Sequence, residues 1–150
     1  MNSKNIRFGS KIAPSIGFWL LSGIALLWFL MDTSAFFMRV TITEEARLAM
    51  SERDQFLHRD YPLWVNIVFA CEVFGGVLGC LALLLKRRVA LLFFGVSLLG
   101  VLSQSVFIYF ISDTVEVLGI PLILMPLLSI LIGLLMLWFA RSGMNKGWLV

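Results

Sequence analysis

The most chemically demanding residue in this sequence is Glu72, a carboxylate in the middle of WVNIVFACEVFGGVLGCLALLLKRR. An ionised carboxyl at the centre of a bilayer costs at least ~2.5 kcal/mol on insertion scales, so such a group marks a functional site unless it is partnered. At 100° per residue, Glu72 shares one helix face with Gly75, Gly76, Gly79 and Leu83. Gly75-x-x-x-Gly79 is the small-residue spacing that lets helix backbones approach closely in lipid. The carboxyl is therefore expected to point into a helix bundle.

Other polar residues in apolar surroundings offer company. Ser97, Gly100 and Gln104 recur at i, i+3 and i+7, a second polar and small-residue stripe. Asp32 and Asn66 lie in apolar runs of their own. Counted from the ends of those runs, Asp32, Asn66 and Gln104 fall in one outer third, with Glu72 nearer the midplane. The expectation is a funnel of polar groups from three helices, open to the outside. No Lys or Arg falls within a predicted span, so Glu72 is expected to be neutral much of the time and hydrogen-bonded to Gln104 or a serine. Two readings stand: a proton-carrying or solute-binding group, or a neutral residue that joins helices as Gln or Asn would. For Asp32, pairing with Arg39 two turns on, by a snorkelling side chain, is the plainer expectation.

Catalytic sets are missing. The one histidine, His58, lies beside Arg59 and Asp60 and reads as a surface residue. No Ser/His/Asp or Cys/His set falls at one depth, so an enzyme is not expected. Cys71 and Cys80 would project from opposite sides of a helix about 13 Å apart along its axis, too far for a disulfide. No spacing suggests a metal site, and no cofactor is expected.

The elements that must hold these residues follow from composition. Of 150 residues, 60% are hydrophobic and 14% charged. A soluble domain of this size cannot bury so much apolar surface, so lipid is the expected surrounding of most of it. The net charge of +3 does not point to nucleic acid, because the basic residues cluster at the ends of apolar runs. Four runs are long enough to span, at about 16–38, 63–85, 89–111 and 117–140. None alternates as a barrel strand would. The fold class is thus an all-α membrane protein, a four-transmembrane-helix bundle forming a single integral domain over residues 1–150. Pro121 suits the start of the fourth helix and Pro126 predicts a kink. Lys4, Arg7 and Lys11 before the first run also permit a signal peptide cleaved after Ala35, although the apolar run continues past that point.

Charge sets the orientation. Lys86, Arg87 and Arg88, Arg141 and Lys146, and the basic N-terminal residues place both termini and the second turn in the cytoplasm. The third connection carries Asp113 and Glu116, and the long first connection has mixed charge, so both belong outside. Trp19, Trp64, Tyr109 and Trp138 fall where an aromatic belt is expected. Within the first loop, Thr41-x-x-Glu44 and Ser51-x-x-Asp54 resemble capping boxes, and Ala46, Ala49, Met50, Phe56 and Leu57 form an apolar stripe. A short amphipathic helical segment is expected there, with a solvated linker as the alternative.

Trp28 after a leucine run, Tyr61-Pro62-x-Trp64, Val73-Phe74-Gly75-Gly76-x-Leu78-Gly79, Leu84-Leu85-Lys86-Arg87, Ser97-Leu98 with Gln104, and Met125-Pro126 then Leu137-Trp138 resemble a group of small bacterial four-span membrane proteins often labelled sugar transporters. That resemblance implies a bacterial inner-membrane location and solute transport. Cys71-Glu72 departs from the small or aliphatic pair usual in the group. The expectation is small-solute transport or permeation by a homo-oligomer, a dimer by preference, because transporter sites generally form between two facing repeats. The alternative is an accessory subunit of a larger membrane complex that packs through its glycine face.

Overall fold

The computed structural model describes residues 13–111 and 120–150. The expectations placed on Lys4, Arg7, Lys11, Asp113, Glu116 and the start of the fourth span at 117 lie outside the described residues. Among the described residues six α-helices follow one another: α1 Ile16–Thr41, α2 Glu44–Leu48, α3 Glu52–Leu57, α4 Leu63–Leu84, α5 Ala90–Val106 and α6 Ile120–Asn145. A π-helical turn, Phe107–Ile111, extends α5. No strand occurs among the described residues. Among the described residues four helices are long and apolar enough to cross a membrane, with α5 and its π-turn counting as one.

Helix α4 packs against α1 on one side and α5 on the other, and α6 packs against α5. Phe18 of α1 stacks on Phe139 of α6 with ring centroids 5.6 Å apart, bringing the two outer helices together near one end. The main core draws on all four: Phe18 and Phe29 from α1, Cys80 and Leu83 from α4, Phe94 from α5, Met136 from α6. A smaller cluster of Val65, Phe107 and Ile108, with Tyr61 and Tyr109 against it, fills the opposite end.

Close approach of α4 and α5 depends on glycine. A methyl group on Gly100 would lie 2.6 Å from the Val68 carbonyl oxygen and 2.7 Å from the Glu72 amide nitrogen. One on Gly75 would meet the backbone of Phe93 and Ser97 at 3.0 Å. Gly76 lies under the Phe29 ring and Gly79 under the Phe94 ring, with no space for a Cβ at either. The glycine face is therefore covered from within the chain and presents no surface to a partner.

Several boundaries differ from the sequence reading. Helix α1 continues to Thr41, three residues beyond the predicted end, and takes Arg39 into the helix. Helix α6 continues past Ala140 to Asn145, carrying Pro126 inside it. The first loop holds two short helices. Ser51 caps α3 as the spacing predicts, its hydroxyl accepting from the Asp54 amide at 3.3 Å and donating to the Asp54 carboxylate at 2.7 Å. Helix α2 is capped by Thr43, not Thr41; the Thr41 hydroxyl donates back to the Phe37 carbonyl at 2.7 Å.

At the far end, α4 stops on two bonds that close a Schellman turn, Lys86 N–H to Leu83 O at 2.8 Å and Arg87 N–H to Ala82 O at 2.7 Å. Lys86 takes the left-handed position usually given to glycine, with φ 56°. Residues 146–150 fold back onto this turn. The Val150 amide donates to the Lys86 carbonyl at 2.7 Å, the Arg88 amide donates to the Val150 carbonyl at 3.3 Å, and Leu149 is buried against the core.

Candidate functional site

The end of the bundle carrying α2 and α3 holds the polar groups. Arg39 is the residue that organises them, and it was not singled out by the sequence as a site residue. Its Cα stands near the last turn of α1, but helical Cβ atoms tilt toward the helix N-terminus. For α1 that direction is into the bundle, so the side chain reaches inward. The guanidinium lies between two rings, 4.5 Å from the Tyr61 centroid and 4.4 Å from that of Phe69. Cation–π contacts of this kind are worth roughly 0.5–2 kcal/mol, more as water is excluded. Flat packing leaves the edge of the fork unsatisfied, and Nη1 has no hydrogen-bond partner.

Two cavities meet at Arg39. The outer one, about 220 Å³, is bounded by Arg39, Thr43, Arg47, Asp60, Tyr61 and Asn66 among others. Beside it the Arg47 guanidinium is bonded to the Glu44 carboxylate at 2.7 Å, which holds its pKa above the ordinary arginine value. The inner cavity, about 570 Å³, is largely apolar and is bounded by Trp28, Asp32, Arg39, His58, Phe69 and Met125 among others. Its size lies within the usual range for small-molecule sites, as does its mixture of apolar walls and few polar groups.

Asp32 and Arg39 both reach the inner cavity, yet they form no ion pair. Arg47 is paired with Glu44, while Arg39 Nη1 and Asp32 Oδ2 have no such partner. This corrects the expected Asp32–Arg39 pair: π-stacking on Tyr61 and Phe69 holds the guanidinium away from the carboxylate. The Trp28 indole stands close enough to act on the Asp32 carboxyl, although neither its nitrogen nor Asp32 Oδ2 makes a hydrogen bond of good geometry.

Glu72 is buried on α4, 4% exposed. The fields of Asp32 and Arg39 both act on it. The expectation that no basic residue reaches the spans is thus corrected, because the long α1 carries Arg39 inward. The expected carboxyl hydrogen bond is corrected too. The Ser97 hydroxyl donates to the Glu72 backbone carbonyl at 2.7 Å, and Glu72 Oε2 has no partner. Gly100 is the cause: it brings α5 so close that Ser97, one turn away, meets α4 main chain instead of the carboxyl.

The predicted funnel divides into three. Asp32 lines the inner cavity, Asn66 lines the outer one, and Glu72, Ser97 and Gln104 are buried along α4 and α5. Gln104 Oε1 is buried without a partner. His58 is half-buried and borders both cavities, not a plain surface residue as its charged neighbours suggested. Its Nδ1 lies 2.9 Å from the Asp54 carbonyl oxygen.

Among the described residues, no group of three or more His, Cys, Asp or Glu side chains is placed to hold a metal ion. Cys71 faces outward and Cys80 is buried. No protein-family model, curated protein or solved structure matches the chain. The site must therefore be interpreted from its own geometry, which offers a cation and an anion with unmet hydrogen-bonding capacity on the walls of one apolar cavity.

Proposed function

We propose that this chain is a small-solute transporter or permease of the bacterial inner membrane, with both termini in the cytoplasm and no catalytic activity. The solute enters from the α2–α3 side through the outer cavity, passes Arg39, and is held in the inner cavity between Arg39 and Asp32. The observation that carries this reading is the pair of opposite, unpaired charges on a cavity of about 570 Å³. Charges removed from water remain unpaired in a native bundle mainly where a ligand or a transported ion completes them. Glu72, under the influence of both, is the group through which a proton would couple to solute binding. Likeness to small four-span proteins labelled sugar transporters supports the same class. A homodimer supplies the second half that a single four-helix unit lacks.

The test is uptake by purified protein in liposomes, with a panel of small labelled sugars and amino acids. Flux above that of empty liposomes, lost in Arg39→Gln and Asp32→Asn, is the expected result. Absence of flux for the whole panel, together with a co-purifying membrane partner, would favour an accessory subunit. The observation that speaks for that second reading is an apolar groove of about 410 Å³ between α1 and α6.

A further inference from the structure

The inner cavity is polarised along the bundle. At its α2–α3 side stands Arg39, which also borders the outer cavity together with Arg47 and Arg59. Glu44, bonded to Arg47, and Asp60 are the carboxylates of that outer cavity, so three guanidinium groups meet two carboxylates at the mouth. Asp32 stands deeper. It lies nine residues before the Thr41 end of α1, about 13.5 Å in, whereas Arg39 lies about 3 Å from that end. Glu72 lies nine residues into α4 and so at about the depth of Asp32. Among the described residues, no Lys or Arg other than Arg39 borders the inner cavity. His58, also on its wall, has Nδ1 against the Asp54 carbonyl oxygen. A positive mouth thus faces a negative floor across largely apolar walls.

We propose that the inner cavity takes an apolar amino acid, its carboxylate on Arg39 and its ammonium on Asp32. The inference deepens the transport reading by naming the solute class, and it rests on that reading's assignment of the inner cavity as the binding site. Arg39 Nη1 is buried without a partner, and a guanidinium edge bonds a carboxylate more strongly than it bonds a neutral acceptor. Asp32 Oδ2 is unpartnered as well and accepts from an ammonium. The Trp28 ring borders the same space, giving the ammonium an aromatic wall beside its counter-ion. The Asp32 and Arg39 Cα atoms are about 10.5 Å apart along α1, and the inward reach of Arg39 shortens the gap between the charged groups. With hydrogen bonds of about 2.9 Å at each end, an α-amino acid bridges about 9 Å. Its side chain then meets Met31, Phe69 and Met125, and methionine adapts to apolar groups of differing shape. A plain anion leaves Asp32 uncompensated, and a plain cation leaves Arg39 so. A sugar brings many hydroxyls, each needing a partner once removed from water, and these walls supply few. A dipolar solute with an apolar body meets both ends and the walls together.

The experiment is isothermal titration calorimetry of the full-length protein in detergent. The probes are leucine, phenylalanine, glycine, isocaproate, isoamylamine and glucose. Leucine or phenylalanine is expected to bind about tenfold more tightly than each of the last four, since each of those lacks one charged contact or the apolar body. Asp32→Asn should leave leucine no tighter than isocaproate, and Arg39→Gln should leave it no tighter than isoamylamine. Loss of structure alone does not produce such changes of selectivity. If the charge variants misfold, the ranking of probes by the parent decides. Leucine and phenylalanine no tighter than isocaproate, isoamylamine or glycine, tighter binding of glucose, or no binding of any probe overturns the proposal. So does parental selectivity retained by both variants. The uptake assay separates the two ideas: sugar flux without amino-acid binding sinks this inference alone, and selective amino-acid binding without flux sinks transport alone.

Discussion

Glu72 and Arg39 illustrate what a single residue does and does not disclose. That Glu72 is buried follows from helical period, because glycines occupy its face and glycine faces meet other helices. Its partner does not follow. Arg39 lies beyond the apolar run in the chain, and only a helix continued to Thr41 with an inward-tilted side chain brings its charge to bear on Glu72. Counting apolar residues cannot detect that reach. Glu72→Gln preserves shape and hydrogen bonding but removes the titratable proton. It is expected to fold with unchanged helix content and to abolish any pH dependence of uptake, measured in liposomes over a range of external pH. Retained pH dependence would show that another group carries the proton. Arg39→Gln removes the charge and both ring contacts, so it should lower stability by about 1–2 kcal/mol, read as a drop in the detergent melting temperature. A melting temperature equal to that of the parent would mean the ring contacts contribute nothing.

Among the helices, glycine placement separates packing positions from idle ones. Gly100 lies on the Ser97–Gln104 stripe that the sequence marks for packing, whereas Gly23 has only large apolar residues three and four positions away. A Cβ on Gly23 meets nothing within 4 Å, whereas one on Gly100 strikes the backbone of Val68 and Glu72. Backbone cannot rotate aside, so Gly100→Ala must part α4 from α5 and stretch the Ser97 bond as well. A loss of about 2–3 kcal/mol is expected. Gly23→Ala should be neutral or gain up to ~1 kcal/mol from helix propensity. Denaturant unfolding in mixed micelles checks both, and equal effects would mean that the α4–α5 contact is not tight at Gly100. The four spans were legible because apolar run length sets helix length in lipid. Their neighbour order was legible only in part, since only the second and third runs carry small-residue stripes. The cap at Thr43 was missed for a related reason: Thr41 and Thr43 are both acceptable caps, and the choice falls to wherever α1 ends.

For the molecule as a whole, sidedness decides what the two cavities mean. The structure puts α2, α3 and the cavity mouth at one end of the bundle, and the Lys86–Arg88 turn with residues 146–150 at the other. The return of residues 146–150 onto that turn was not legible, because it depends on main-chain bonds to Lys86 and Arg88 and on a hydrophobic seat for Leu149. It does, however, concentrate Lys86, Arg87, Arg88 and Lys146 at one face, and basic residues near span ends are retained in the cytoplasm. The cavity mouth should then face outward. Cysteine placed at Glu52, which is exposed, should react with a membrane-impermeant maleimide in intact cells. Cysteine placed at Arg87 should react only after permeabilisation. The native thiols do not confuse the measurement, because Cys71 and Cys80 lie within α4 at membrane depth, where a charged reagent does not reach. The opposite labelling pattern would turn the cavity toward the cytoplasm, and solute would then be captured inside and moved out. The bundle, its glycine contacts and the Arg39–Asp32 pair of walls would stand unchanged, while the direction of transport would reverse.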